Sequence, residues 1–539
     1  MANDASAEGE AIVRDFQVLA SDRSAFEQHW QEVAELVLPA YSGMFYSNSM
    51  TAPGTKKTAL QFDSVATISL KRFASILDSL LTPRTSTWHR TVPSDLNLLK
   101  DHSTRVWFEE LNRTLTKYRY NPAANFAGQN QMNYISLGAF GSGCMFIDQL
   151  AGKPGIRYKS VHLGEIYFKE NHQGLVDSAY RRFMLTARQV VQKWGDAAPD
   201  KVKEKLEKNP DTPFAFVHCV KPRENYDPGR LDSKNMPLAS LYVFEDEKII
   251  IQEDGYTSFP FAISRYEQAP GEVYGRGPAM DVLPAIKTLN AQKKTILKQG
   301  HRVVDPVLLA HDDGVLSGFS LKPGAINYGA VSSEGRRLVD VLPTGNLAVG
   351  EEMMDSERGV IQDAFLVTLF QILVDSPVMT ATEVMERTRE KGLLLAPTVG
   401  RQLSEYLGPM IDREIDLLVR QGLVPPMPPA LLEADGEYVI EYTSPMSKAM
   451  RAEEVTGVMR AFDQTLNIVG VTQDPAPLDY FNLDVIVPAI AQIQSVPAEW
   501  MQSAEAVEAI RSDRAAQQQQ QQVVEALPGA AAMTKAVAQ

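Results

Sequence analysis

Near the N-terminus the apolar positions recur at helical spacing. Phe26, Trp30, Val33 and Val37 stand at i, i+4, i+7 and i+11 and predict one face of a helix. Ser24 with Glu27 reads as a capping box at its start, and Pro39 closes it. Val65, Ile68, Phe73, Ile76, Leu77 and Leu80 predict a second amphipathic helix, opening near Asp63 and stopping before Pro83. A third runs over 103–120 and ends at Asn121-Pro122. The pattern then changes. Residues 144–147, 156–161, 166–169, 176–183, 214–220, 241–244 and 248–252 are short β-rich runs, set apart by turns such as Asn171-His172-Gln173-Gly174 and by a helical interlude over 186–194.

From Gly271 the helical period returns. A long helix is predicted from Pro278 to about Val304, with Val282, Ala285, Leu289, Ile296 and Val303 on one face. Lys287, Lys294, Lys298 and Arg302 fall on the opposite face. Residues 305–343 are Gly-rich with short β-like pieces, and 351–374 are helical again. Two long helices around a small insert predict an antiparallel pair. Leu403, Leu407, Ile411 and Leu418 mark a further helix, closed by Gly422 and a Pro-rich linker over 425–429. A short strand over 437–442 precedes helices over 447–469 and 484–493, and the chain ends in a Gln run at 517–522 and an Ala-rich tail. The whole reads as an α+β fold, and its length leaves room for roughly three to four domain-sized units.

Composition and charge remove function classes. The apolar run ending at Val374 is interrupted by Thr368 and Gln371, and none approaches the roughly 18–20 residues that span a bilayer, so no membrane role is expected. Residues 1–10 are acidic and small, unlike a secretory signal. Cys144 and Cys219 are the two cysteines; neither stands in a metal-ligand spacing, and a reducing compartment is compatible with them. The net charge of −14 makes tight, non-specific grip on a polyanion a poor expectation, because phosphate neutralisation needs a basic footprint.

Catalytic motifs are missing in the same way. The string G-x-x-x-x-G-K-[ST] does not occur, nor does a G-x-S-x-G elbow or H-E-x-x-H. The glycine clusters Gly138-Ala139-Phe140-Gly141-Ser142-Gly143 and Gly275-Arg276-Gly277 therefore read as turns and close packing. His218-Cys219, inside an apolar run, reads as a core strand carrying a satisfied histidine, and Glu351-Glu352 as solvated surface. No catalytic, cofactor or metal site is expected, and no cofactor. The basic stripe Lys287, Lys294, Lys298, Arg302 stays open between a solvated face, a face turned to a polyanion and a face turned to acidic neighbours in an assembly. The cluster Arg387, Arg389, Lys391 carries the same ambiguity.

Several ordered pieces resemble the head-to-tail connector (portal) family of short-tailed bacteriophages. They are Trp30 with Val37-Leu38-Pro39, Phe62-Asp63-Ser64, and Ser79-Leu80-Leu81-Thr82-Pro83 followed by Trp88. Further along come Gly174-Leu175-Val176-Asp177, Arg181-Arg182-Phe183 and Thr186-Ala187-Arg188-Gln189. Tyr274-Gly275-Arg276-Gly277-Pro278-Ala279-Met280 running into Leu289-Asn290, and Met379-Thr380-Ala381-Thr382-Glu383-Val384 with Arg387, complete the series.

The resemblance implies a portal fold: an α+β wing over 1–270, stem helices over 271–304 and 346–374, and a β-containing clip over 305–345 between them. A channel loop over 375–396, a wing return and crown helices over 397–500 and a tail over 501–539 would follow. It implies a homo-oligomeric ring of twelve subunits at one capsid vertex of the virion, assembled in the host cytoplasm. Its implied partners are the major capsid protein, scaffolding protein, terminase large subunit and tail adaptor, with double-stranded DNA passing through the bore during packaging and ejection. ATP hydrolysis would belong to a separate terminase motor. A tail adaptor and a DNA-packaging enzyme are the competing readings.

Overall fold

In a computed structural model of the chain, the described residues are 2–43, 45, 54, 56–58, 60–84, 86–227, 229–230, 232–310, 319–343, 345, 347–368, 397–434, 436–443, 445–473, 476–493, 502, 506–514 and 516–517. They fall into two compact units, 1–444 and 445–539. The larger unit is the expected mixture of helix and sheet.

Its N-terminal helices are α1 (Ala2–Asp22), α2 (Ser24–Val37) and α3 (Val65–Leu81), followed by strand β1 (His89–Pro93), α4 (His102–Arg119) and α5 (Phe126–Phe140). The expected capping box at Ser24 does not form. Arg23 links α1 to α2 without a side-chain cap, and its buried guanidinium takes Glu27 as partner at 2.6 Å. Arg23 also donates to the carbonyls of Leu163 at 2.7 Å and Ile166 at 2.5 Å, so three bonds to a buried cation outweigh one cap. Helix α1 itself was not foreseen, because its apolar face rests on few residues.

Strands β2 (Ser142–Gln149), β3 (Ile156–Ser160), β4 (Ile166–Glu170) and β5 (Val176–Thr186) lead to α6 (Ala187–Trp194) and α7 (Asp200–Lys208). Then come β6 (Pro213–Pro222), β7 (Leu238–Phe244), β8 (Ile249–Tyr256) and β9 (Phe261–Arg265). Five strands form an antiparallel sheet in the order β4-β5-β6-β7-β8. The two-residue period sorts its faces. Cys219, paired with Tyr180 and Leu241, faces Ile12, Val13 and Phe16 of α1. Phe216, paired with Phe183 and Phe244, faces Ala187, Val190 and Val202 of α6 and α7. With helices on both sides, strand β6 is buried along Phe214–Val220, hence its nearly continuous apolar run. A second sheet, β3-β2-β9, packs on α5.

After this sheet come α8 (Pro278–Asp281), α9 (Leu283–Val304), strands β10 (Leu308–Ala310) and β11 (Val339–Val341), and α10 (Leu347–Ala364). A π-helical stretch, Gln402–Leu407, runs into α11 (Gly408–Arg420), and α12 (Pro429–Glu433) and β12 (Tyr438–Tyr442) close the unit. Strand β12 returns to pair antiparallel with β1, which the sequence reading had left unassigned.

Helix α11 buries Glu414 among Met410, Ile411 and Leu418, with Arg413 buried beside it. Glu414 is fully buried and accepts a fork of bonds from the equally buried Arg119 of α4, with Nε at 3.0 and 3.1 Å from its two oxygens. Tyr158 of β3 donates to Glu414 Oε1 at 2.6 Å, and the guanidinium lies 4.6 Å from the ring centre of Trp88. Attraction to Glu414 raises the pKa of Arg119 despite burial.

Three histidines in this unit are held neutral by enclosure. His218 stacks on Tyr242 with ring centres 4.1 Å apart and bonds Ser240 Oγ at 2.9 Å; burial, with Lys193 and Arg181 nearby, holds its pKa well below the ordinary value. Burial and Arg119 do the same for His89. His162, which accepts from the Gly164 N–H at 3.0 Å, is pushed down to about 4 by burial and by Arg23.

The smaller unit is helical as expected, with α13 (Pro445–Thr472) and α14 (Leu483–Ile493). Within it Phe462 meets Phe481 edge-on at 5.4 Å, and Arg511 pairs with Asp484.

Removing one member of the buried pair strands the other. Arg119→Met or Glu414→Gln should destabilise the larger unit by ~3–5 kcal/mol, whereas Arg119→Met with Glu414→Leu should recover most of that loss. Urea unfolding followed by tryptophan fluorescence reads both, and a tolerated single change would remove the pair from its anchoring role. The histidines make a separate prediction. Unfolded imidazoles bind protons near pH ~6.5, and the folded ones resist. Stability should be full above that pH and decline as pH falls towards about 4. Melting temperatures measured along this range should fall less steeply in His162→Phe than in the parent, and parallel curves would refute the assignment.

Candidate functional site

The feature least explained by the needs of a single subunit is the hairpin of α9 and α10 with its β10–β11 insert. Its root is built from backbone. Gly141 caps α5 at φ +73°, and a Cβ there would lie 2.3 Å from the Gly275 carbonyl oxygen. A Cβ on Gly277 would lie 2.7 Å from both Gly141 N and the Leu137 carbonyl oxygen. The two glycine clusters, far apart in sequence, thus form one crossing of bare backbone. Gly275 N–H donates to Ser142 Oγ at 2.8 Å, Tyr266 N–H to the Gly141 carbonyl at 2.9 Å, and Trp30 Nε1–H to the Phe140 carbonyl at 3.0 Å. Tyr274 packs edge-on against Trp30 at 5.3 Å. The chain leaves this crossing at Gly277 and enters α8.

The expected single helix over 278–304 is two pieces. Pro284 has no N–H for the Met280 carbonyl and its ring crowds that carbonyl, so the helix breaks at Val282 and restarts with Pro284 in its first turn. The buried face is also shifted: Leu283, Ile286, Leu289 and Asn290 are buried, while Val303 is 45% exposed. Helix α10 opens at Leu347 and breaks after Ala364; the chain is helical again at 367–368, and the rest of the expected helix, 369–374, lies outside the described residues. Leu366 takes a left-handed φ of +60°, while Phe365, beside Phe73 at 6.2 Å, and Val367 are buried. Packing of those two side chains outweighs continuation of the helix.

The two helices run antiparallel, joined by the ribbon Leu308↔Val341, Leu309↔Asp340, Ala310↔Val339. Ile296 sits where a side chain at Gly350 would collide with it at 2.6 Å, and Gln299 donates to the Gly345 carbonyl at 2.7 Å. Both helices are tied to the segment before α3. The N–H groups of Phe62 and Asp63 donate to Asn290 Oδ1 at 2.8 and 3.2 Å. Arg358 of α10 donates to Asp63 Oδ2 at 2.8 Å, and Asp63 Oδ1 accepts from Val65 N–H at the start of α3.

The residues of the basic stripe are all exposed. Lys287 pairs with Glu32 at 2.6 Å, both side chains about half exposed, and Lys294 lies 5.4 Å from the Phe62 ring centre. Lys298 and Arg302 have no ion-pair partner among the described residues. Arg387, Arg389 and Lys391, with the whole 375–396 stretch, lie outside the described residues. On α10, Glu352, Asp355 and Asp363 are exposed and, at 100° per residue, lie opposite Gly350, which faces Ile296. Among the described residues no group of three or more His, Cys, Asp or Glu converges as a metal ion would need, and no helix is long and apolar enough to cross a membrane. Both cysteines are free and buried, and burial pushes the Cys219 thiol up to about 12.

A family model described as bacteriophage head to tail connecting protein matches residues 10–501. The chain belongs to that family. The portal protein of Salmonella phage epsilon15 is 27% identical to it over 525 residues, covering 95% of this chain and 92% of that one. The probable portal protein of Bordetella phage BPP-1 is 27% identical over 516 residues, covering 94% and 90%. In this head-to-tail connecting protein, then, the hairpin is a large exposed element on a closely tied root.

The root makes a direct prediction. Gly141→Ala and Gly277→Ala should each destabilise by ~3 kcal/mol, from backbone strain and overlap at the first and from overlap at the second. Gly300→Ala, mid-helix with open space around it, should instead stabilise by about 0.5–1 kcal/mol. Chemical unfolding of the three variants checks the contrast, and equal effects would dissolve it.

Proposed function

We propose that the chain forms a closed ring at the head–tail junction of a short-tailed phage virion, through whose bore double-stranded DNA passes in packaging and ejection. The observation that carries this reading is the family match over residues 10–501, supported by relatives named as portal proteins over nearly their full length. In this reading residues up to 270 serve as wing, α8–α9 and α10 as stem, 305–345 as clip, 375–396 as channel loop, and α13–α14 as crown. A twelvefold ring would dock capsid, scaffolding, terminase and tail adaptor proteins on its outer surfaces.

Physical features support a conduit over a clamp. A translocating duplex must slide, and a chain of net charge −14 with sparse basic stripes offers few phosphate contacts to hold it. A ring requires two different, mutually complementary faces on each subunit, because the contact is heterologous and must close. The role is structural: the sequence carries no phosphate loop, and the motor that hydrolyses ATP is a separate protein.

Negative-stain imaging and mass measurement of the purified full-length chain test this. The expected particle is a centrally perforated ring, twelve times the 59.6 kDa subunit in mass, with no ATP or DNA hydrolysis. A monodisperse monomer under all conditions would overturn the ring. Hydrolysis abolished by one carboxylate substitution would favour an enzyme instead.

A further inference from the structure

The two outward flanks of the α9–α10 hairpin carry opposite charge, and one subunit leaves much of it unanswered. Ile296 marks the side of α9 that meets α10. At 100° per residue, Lys287, Lys294, Lys298 and Arg302 point away from that side. By the same step from Gly350, Glu352, Asp355 and Asp363 point away from α9, while Met354 and Ile361 are buried on the inner side. All seven charged residues are exposed. Asp355 is bonded to Arg358, and Lys287 to Glu32, but Glu352 and Asp363, like Lys298 and Arg302, have no ion-pair partner among the described residues. Large apolar side chains accompany the charges: Leu297, Val349, Met353 and Val360 are each about half exposed. Val349, Met353 and Val360, at i, i+4 and i+11, fall in one stripe of α10 beside its acidic flank, and an exposed apolar stripe rimmed by charge marks an association surface.

We propose that the basic flank of α9 in one subunit docks on the acidic flank of α10 in a second copy of this chain. The proposal rests on the ring reading above and names the faces that make it. Basic against basic, or acidic against acidic, repels, so neither flank can pair with itself. Basic against acidic leaves an acidic flank free at one end of the pair and a basic flank free at the other. Such a contact adds subunits in one direction until the ring closes. Exposed ion pairs are individually weak and screened by salt, so the charges select orientation and register while the apolar side chains supply burial.

The test uses the full-length chain in three forms. One is the parent; one has its basic flank reversed by Lys294→Glu and Lys298→Glu; one has its acidic flank reversed by Glu352→Lys and Asp363→Lys. In about 0.1 M salt, each variant should need roughly tenfold more protein than the parent for half assembly, read by mass photometry. An equimolar mixture of the two variants should recover parental assembly, since each now offers the charge the other lacks, and should yield only even-numbered rings. Melting temperatures like the parent's show that the subunits fold; if either pair lowers them, the neutral changes K294Q and K298Q carry the same test at smaller amplitude. Parental assembly by both variants, or a mixture that stays unassembled, overturns the proposal and leaves the ring reading standing. A parent that forms no closed oligomer overturns the ring reading itself.

Discussion

Arg119 and Glu414 are both shut off from solvent, and neither can be left there alone. A buried guanidinium without its carboxylate, or the reverse, is so unfavourable that α4 and α11 must meet wherever the unit folds. Tyr158 adds β3 to the same knot, and Trp88 covers it from the start of β1. The chain therefore goes out through the hairpin, passes residues 369–396, and comes back to a wall already set by its first third. Long excursions between fixed ends add little entropic penalty, so the insert and hairpin can be large without loosening the body that carries them.

What anchors the outgoing end is different in kind. At the crossing of Gly141 with Gly275 and Gly277 no side chain stands between the two backbones, and at Asp63 one carboxylate serves α3 and α10 together. Both devices use short, directional contacts that leave little freedom of angle. They fix the inclination at which the hairpin leaves the body. The charges themselves sit outside the rigid root on exposed helix faces, where they can meet another molecule without disturbing the fold.

Strong periodicity made α2, α3, the β6 run and the helical pair legible from sequence, because each buries a broad apolar face. His218 and the glycine clusters were also legible as packing. Elements whose burial depends on distant partners were not. Helix α1 offers only Ile12, Val13 and Phe16 to its sheet, and β1 becomes a strand because β12 returns to it. The break after α10 was not legible, because local propensity says nothing of Phe73 waiting for Phe365. Glu414 left a usable signal: at i+4 from Met410 and i−4 from Leu418 it is the carboxylate on the apolar face, unlike its neighbours Asp412 and Asp416, and needs a buried cation there. The acidic flank of α10 was equally present in the spacing, but adjacent acids drew the eye instead of residues three and eight positions apart. Arg387, Arg389 and Lys391 lie outside the described residues, so the basic stripe on α9 is the part of that expectation with a known setting.

The pairing of β1 with β12 has a consequence for how the protein is made. Arg90 and Glu441, bonded across that ribbon, are 351 residues apart in the chain. At a bacterial elongation rate of ~5–20 residues per second, β1 waits on the ribosome for roughly 20–70 s before its partner emerges. During that wait the hairpin and the root contacts that hold it, all made by residues before 365, are already synthesised, while the ribbon that joins the two ends of the unit is still unmade. The meeting of β1 with β12 is thus one of the last steps by which the larger unit closes, and strand β1 must stay available for it throughout synthesis.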